Sequence, residues 1–213
     1  MNGCDDMKKL ISLFLALILT SQILPLNAIA EALYPIPTSQ ELSAALAKTG
    51  LSEGAPGYRQ GMPPSESMNA MQLAGWIKDF QENKLSYIMD IFENYDVELA
   101  YVKEKYPVTF DLLKGFNEAG IGKLYAEYSN AKAWKDNVNY YYNSLVTIAG
   151  DIYVKVELLQ REETAEKEQI VYAYEIRDAW RQMEALIPEI VAQAGSWNDE
   201  FDRLKDLLTG EYA

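Results

Sequence analysis

Residues 124–159, LYAEYSNAKAWKDNVNYYYNSLVTIAGDIYVKVELL, decide the fold of this chain. Within them Leu124, Tyr128, Ala131, Lys135, Val138, Tyr142, Leu145, Ala149, Ile152, Val156 and Leu159 alternate steps of four and three without a slip. An α-helix turns once every 3.6 residues, so this alternation keeps one set of side chains on one side of a rod. Sustained over five heptads, it marks the apolar seam of coiled-coil-like packing, which needs neighbouring helices to bury it.

Working outward, a second seam runs Ala173, Ile176, Trp180, Met183, Ile187, Ile190, Ala194, Trp197, Phe201, Leu204 and Leu208, and it holds phase through Pro188 and Gly195. That predicts one kinked helix in place of two unrelated ones. Between the seams lies Arg161-Glu162-Glu163-Thr164-Ala165-Glu166-Lys167-Glu168, with charges at the seam positions Glu163 and Glu166. Two readings fit: a helical hairpin whose acidic cluster favours the positive end of the next helix, or one helix of some 70 residues, about 105 Å long. No Gly, Pro or Asn marks a turn here, which favours the long helix. The near-equal lengths of segments 67–106, 123–161 and 165–208 favour folding back.

Upstream, Leu73, Ile77, Phe80, Lys84, Ile88, Ile91, Tyr95, Leu99, Val102 and Tyr106 form a third helical face, broken only by Lys84. Pro107 ends or kinks that helix, because the residue before a proline is pushed out of the α region. Phe110, Leu113 and Phe116 give residues 108–119 the pattern of a short connector helix closed by Gly120-Ile121-Gly122. The expected fold is therefore all-α: an elongated antiparallel bundle of about three long, coiled-coil-like helices plus a connector, spanning residues 67–213.

Residues 31–66 differ in texture. Pro35, Pro37, Pro56, Pro63 and Pro64 alternate with Gly50, Gly54, Gly57 and Gly61, which reads as a flexible Pro/Gly-rich arm. One short helix is expected inside it, from the capping box Thr38/Glu41 to the stop at Gly50.

Residues 1–30 have the parts of an export signal: Lys8 and Lys9, an apolar run Leu10–Leu24, and the small-residue site Ala28-Ile29-Ala30. Ala30-Glu31-Ala32 offers a second cleavage site. The apolar run is shorter than the roughly 20 residues a membrane span requires, and Pro25 follows it. Asp5 and Asp6 precede the basic pair, so the signal reads more naturally from Met7. The expectation is an exported protein, periplasmic or extracellular, with no stable membrane insertion once the signal is cut.

Removing residues 1–30 takes away two acidic and two basic residues, so the net charge remains −13. Such a surface repels phosphate backbones and anionic headgroups, which argues against nucleic acid as a partner. The single cysteine, Cys4, leaves with the signal, so no disulfide supports the fold.

Chemistry has few residues to work with. The chain has no histidine, which removes the commonest general base and transition-metal ligand. No Gly-rich phosphate loop, nucleophile elbow or calcium loop is present. Asp90 with Glu93, and Glu162 with Glu166, share helix faces, but such pairs arise by chance in an acidic helical chain. Asn198-Asp199-Glu200 with Asp202 reads better as a helix start capped at Ser196 than as a calcium loop, which would need a turning glycine. Catalytic, metal and cofactor residues are therefore none.

Fifteen tyrosines are the unusual feature, three of them in a row at Tyr140-Tyr141-Tyr142. Tyr142 falls on the seam and is expected in the core. Tyr140 falls on the opposite face with Thr147 and Val154, and these three are the candidate partner contacts. A competing reading packs that face against the connector helix or the arm. The function expected is a non-enzymatic interaction or structural protein of the cell envelope or exterior, binding a protein partner or itself. A helical receptor for a small ligand or cation is the alternative. At the level of architecture alone the outline resembles minor subunits of conjugative or type IV secretion machinery, which implies a place in such an apparatus as a further alternative.

Overall fold

In the computed structural model, residues 36–114, 121–161 and 163–209 are described; the export segment lies outside them. Among these residues all regular structure is helical. The elements are α1 (Ser39–Thr49), α2 (Ala70–Phe80), a π-helical turn (Gln81–Leu85), α3 (Ser86–Lys105), α4 (Pro107–Lys114), α5 (Ile121–Leu159) and α6 (Glu166–Thr209).

Helices α5 and α6 lie side by side along most of their length. Three polar links fix their register. The Arg203 guanidinium grips Glu127 through two hydrogen bonds of 3.0 and 2.7 Å. Tyr141 donates its hydroxyl to Glu189, and Lys155 lies 3.7 Å from Glu175. From 127 to 141 to 155 the numbers rise by 14 on α5, and from 203 to 189 to 175 they fall by 14 on α6. Each step is two heptads, so the two seams meet antiparallel and in phase. Ala131, Val138, Leu145, Ala149, Ile152 and Val156 face inward with Ala173, Met183, Ile187, Ile190, Ala194 and Leu204, all buried.

The segment between the seams is a tight turn, so the single 70-residue helix does not form. Its closure without glycine comes from Thr164, whose Oγ1 donates to the Leu158 carbonyl while its backbone N–H donates to Arg161. That hydroxyl satisfies a carbonyl at the end of α5, the task a C-capping glycine usually performs. Glu166 and Glu168 then stand in the first turn of α6, where the helix dipole favours anions. Helix α6 runs unbroken through Pro188 and Gly195.

Helices α2 and α3 are continuous through the π-turn and run against α5. Gln81 donates to Asn139 at 2.7 Å, and the Phe92 and Tyr128 rings are 5.8 Å apart, so α3 also opposes α5 in direction. A π-turn inserts one extra residue, which rotates the buried face of the helix that follows. Leu85 is buried where Lys84 was expected, and Met89 and Phe92 join Ile88 and Leu99 in the core while Ile91 is half-buried. Lys84 instead donates to Asn198 Oδ1 at 2.6 Å, with its ammonium 5.1 Å from the Phe201 ring centre. Helix α3 ends at Lys105, and Pro107 opens α4, whose Phe110 meets Tyr125 edge-on.

The arm reading needs correction from Ile36 onward, because this segment is docked on the helices. Helix α1 has the expected capping box, with Glu41 Oε2 accepting from the Thr38 backbone at 2.6 Å, and it lays Leu42 and Ala45 into the core. Gly50 ends it at φ 76°, and a Cβ there would stand 2.3 Å from Asn69 Oδ1. Asn69 caps α2 through Gln72, and its side-chain amide ties down Pro56. Tyr58 donates to Asp79 at 2.9 Å and lies so close over Gly75 that a Cβ there would come within 2.4 Å of it. The prolines and glycines thus supply the turns that fold the segment back, while apolar anchors hold it.

Candidate interaction surface

One side of the α5–α6 hairpin is covered by α1, α2 and α3. On another side Tyr140, Ser144 and Ile148 of α5 face Gln182, Ala185, Leu186 and Glu189 of α6 across a shallow groove of about 410 Å³. The floor is largely small or apolar, and polar groups stand at its edge.

The structure leaves all three sequence-derived candidates outside the core. Tyr140 is 63% exposed, Val154 is 52% exposed and Thr147 is exposed. Spaced seven apart, they form one line down α5, and among the described residues neither α4 nor the segment from Ile36 covers them. Only Tyr140 borders the groove. Its groove neighbours on α5 are Ser144 and Ile148, one and two turns along, so Thr147 and Val154 flank the surface without entering it.

The Tyr140 ring is held from below. It meets the Tyr141 ring edge-on at 5.5 Å, and Tyr141 in turn lies 5.7 Å from the Trp197 ring. Trp197 belongs to a cluster with Trp76 and Phe80, and Phe80 touches Trp134 edge-on. Tyr141 is therefore the buried member of the triplet, where the seam pointed to Tyr142, which is half-buried. The hydrogen bond to Glu189, with burial, pushes the Tyr141 hydroxyl up to about 12. An ionised phenol there would face a carboxylate and lose its donor proton. An exposed aromatic ring seated on a rigid cluster loses little freedom when a partner covers it, which suits an interface anchor.

The other candidates do not assemble. Asp90 and Glu93 are both exposed and border a polar hollow with Lys135 and Asn139. Glu162 lies outside the described residues. Helix α6 passes straight through Ser196, so no helix starts there, and Asn198 serves Lys84. Among the described residues no three carboxylates gather as a metal site. No helix among them is long and apolar enough to cross a membrane.

Sequence reasoning missed the groove because its floor comes from two helices whose register a single sequence does not give. It also missed the docking of Tyr58, although the pair Asn69/Gln72 was a legible helix start. No family model, curated protein or solved structure matches this chain.

Proposed function

We propose that this chain is an exported, non-enzymatic interaction protein of the cell envelope or exterior, an elongated antiparallel bundle that offers the open side of its α5–α6 hairpin to a protein partner. The observation that carries the reading is Tyr140, a large ring 63% exposed at the border of a groove that no other segment of the described chain covers. Its backing by Tyr141 separates it from the core in function: the core is complete without it.

Tyr140→Ala tests this. Truncation of an anchoring ring costs on the order of 2 kcal/mol, about thirtyfold in affinity. The wild-type chain and the variant are compared for capture of envelope proteins from the native host, and captured partners are titrated by calorimetry. The expected result is weakened capture with an unchanged thermal melt. Unchanged affinity for every captured protein overturns the role given to this face, and a large fall in melting temperature assigns Tyr140 to the core.

A further inference from the structure

A pocket of about 330 Å³ opens between the docked Pro/Gly segment, the π-turn and α6, and it shares no residue with the groove beside Tyr140. That volume is at the small end of ligand sites, which run from about 300 to about 1,000 Å³. Met62 and Pro64 of the segment, with Trp76 and Phe80 of α2, give it an apolar wall. Two opposite charges, Asp79 and Lys84, border it as well.

Neither charge forms an ion pair among the described residues, with the other or with a third group. Both are half-buried, where solvent ions screen them poorly. Each is nevertheless held in place. The Asp79 carboxylate accepts from the Tyr58 hydroxyl at 2.9 Å and from the Asn83 amide at 2.7 Å, which leaves part of its acceptor capacity unused. Lys84 donates to Asn198 Oδ1 at 2.6 Å, and the Phe80 and Phe201 ring centres lie 5.8 and 5.1 Å from its ammonium. An ammonium has further N–H groups to give.

The π-turn brings the two charges to one side. Residues five apart in an ordinary α-helix stand about 140° apart around the axis. The wider turn at Gln81–Leu85 reduces that angle between Asp79 and Lys84, and such turns recur at functional sites.

A fixed cation and a fixed carboxylate beside an apolar wall suit a molecule with both charges close together and an apolar tail. We propose that this pocket binds a free apolar α-amino acid, its carboxylate on Lys84 Nζ, its ammonium on Asp79 and its side chain against Met62 and Pro64. A neutral sugar or a fatty acid would leave at least one of the half-buried charges unanswered.

The test is calorimetric titration of the full chain, as the native host processes it, with L-phenylalanine, L-leucine and L-methionine. At least one should bind saturably with Kd below about 1 mM. On the wild-type chain, N-acetylation removes the ligand's ammonium and conversion to the amide removes its carboxylate. Each change should weaken binding about tenfold or more. Asp79→Asn should weaken the amino acid by a similar factor and cause no further loss for the N-acetyl form, and Lys84→Met should show the same pairing with the amide. Thermal melts accompany both variants, and because the two analogues require no mutation, a variant that fails to fold leaves the test standing. No saturable binding of any of the three up to about 10 mM, or analogues that bind as well as the parent amino acids, would each overturn the proposal. So would a folded variant that binds the amino acid normally, or one that loses as much affinity for its matching analogue as for the amino acid.

Discussion

Leu145→Ala probes the seam where it is most enclosed. Leu145 has no exposed surface and belongs to the buried cluster that joins α2, α5 and α6. The 14-residue register of the hairpin sets it level with Ala185, well inside both helices. The substitution deletes three carbon groups, which forfeits about 2.4 kcal/mol at about 0.8 kcal/mol per buried CH2. Helices tied by Tyr141–Glu189 on one side and Lys155–Glu175 on the other close only part of the space; a residual void of about 50 Å³ adds about 1.2 kcal/mol. The expected loss is therefore about 3.6 kcal/mol, inside the range of about 2.7–5.0 kcal/mol seen for buried Leu→Ala changes. For a domain of this size it corresponds to a fall in Tm of about 7–14 °C. Circular dichroism melts and urea titrations measure it, with exposed Lys167→Ala as control, for which a change within about 0.5 kcal/mol is expected. A Leu145→Ala loss below about 1 kcal/mol, or equal to that of the control, would refute the claim that the seams bury each other.

The link between Glu127 and Arg203 makes stability depend on acid. Hydrogen bonds from Arg203 hold the Glu127 carboxyl below its ordinary value of 4.5, so its contribution is present above that pH and is lost as pH falls through the lowered folded-state value. Wild type should therefore lose Tm more steeply than Glu127→Gln on titration from about pH 6 to about pH 3, and parallel slopes would count against the link. The proposed export leaves a mature chain beginning at Glu31 or Leu33; N-terminal sequencing from the native host checks this, and finding residues 7–30 still attached contradicts it.

Much of the fold was legible because helical periodicity is a local property. Two apolar seams, each a strict three-four alternation, state which residues go inside whatever the neighbours are, and the Thr38/Glu41 box and Gly50 state where α1 begins and ends. The lack of histidine and of a cysteine beyond Cys4 likewise showed from composition alone that imidazole chemistry is absent and that Cys4 carries the one thiol. Tyr140, Thr147 and Val154 were placed off the seam by the same angular arithmetic, and they lie exposed.

What the tertiary structure alone decided depends on contacts between distant segments. Whether the chain turns or continues after α5 is a contest between local helix propensity and the burial of two long seams, and the seams win, with Thr164 closing the turn through its hydroxyl and its backbone N–H. The π-turn at Gln81–Leu85 widens the core stripe, which puts Leu85, Met89 and Phe92 inside beside Ile88 and leaves Lys84 to reach Asn198. Lys84 in an apolar run was the one trace of this in the sequence. The Pro/Gly segment looked like an arm because composition reports chain stiffness and turns, whereas docking depends on Gly75 leaving room for Tyr58. The groove beside Tyr140 exists only at one register of α5 against α6, and that register is set by side chains 20 to 76 residues apart in sequence, whose pairing no local pattern encodes.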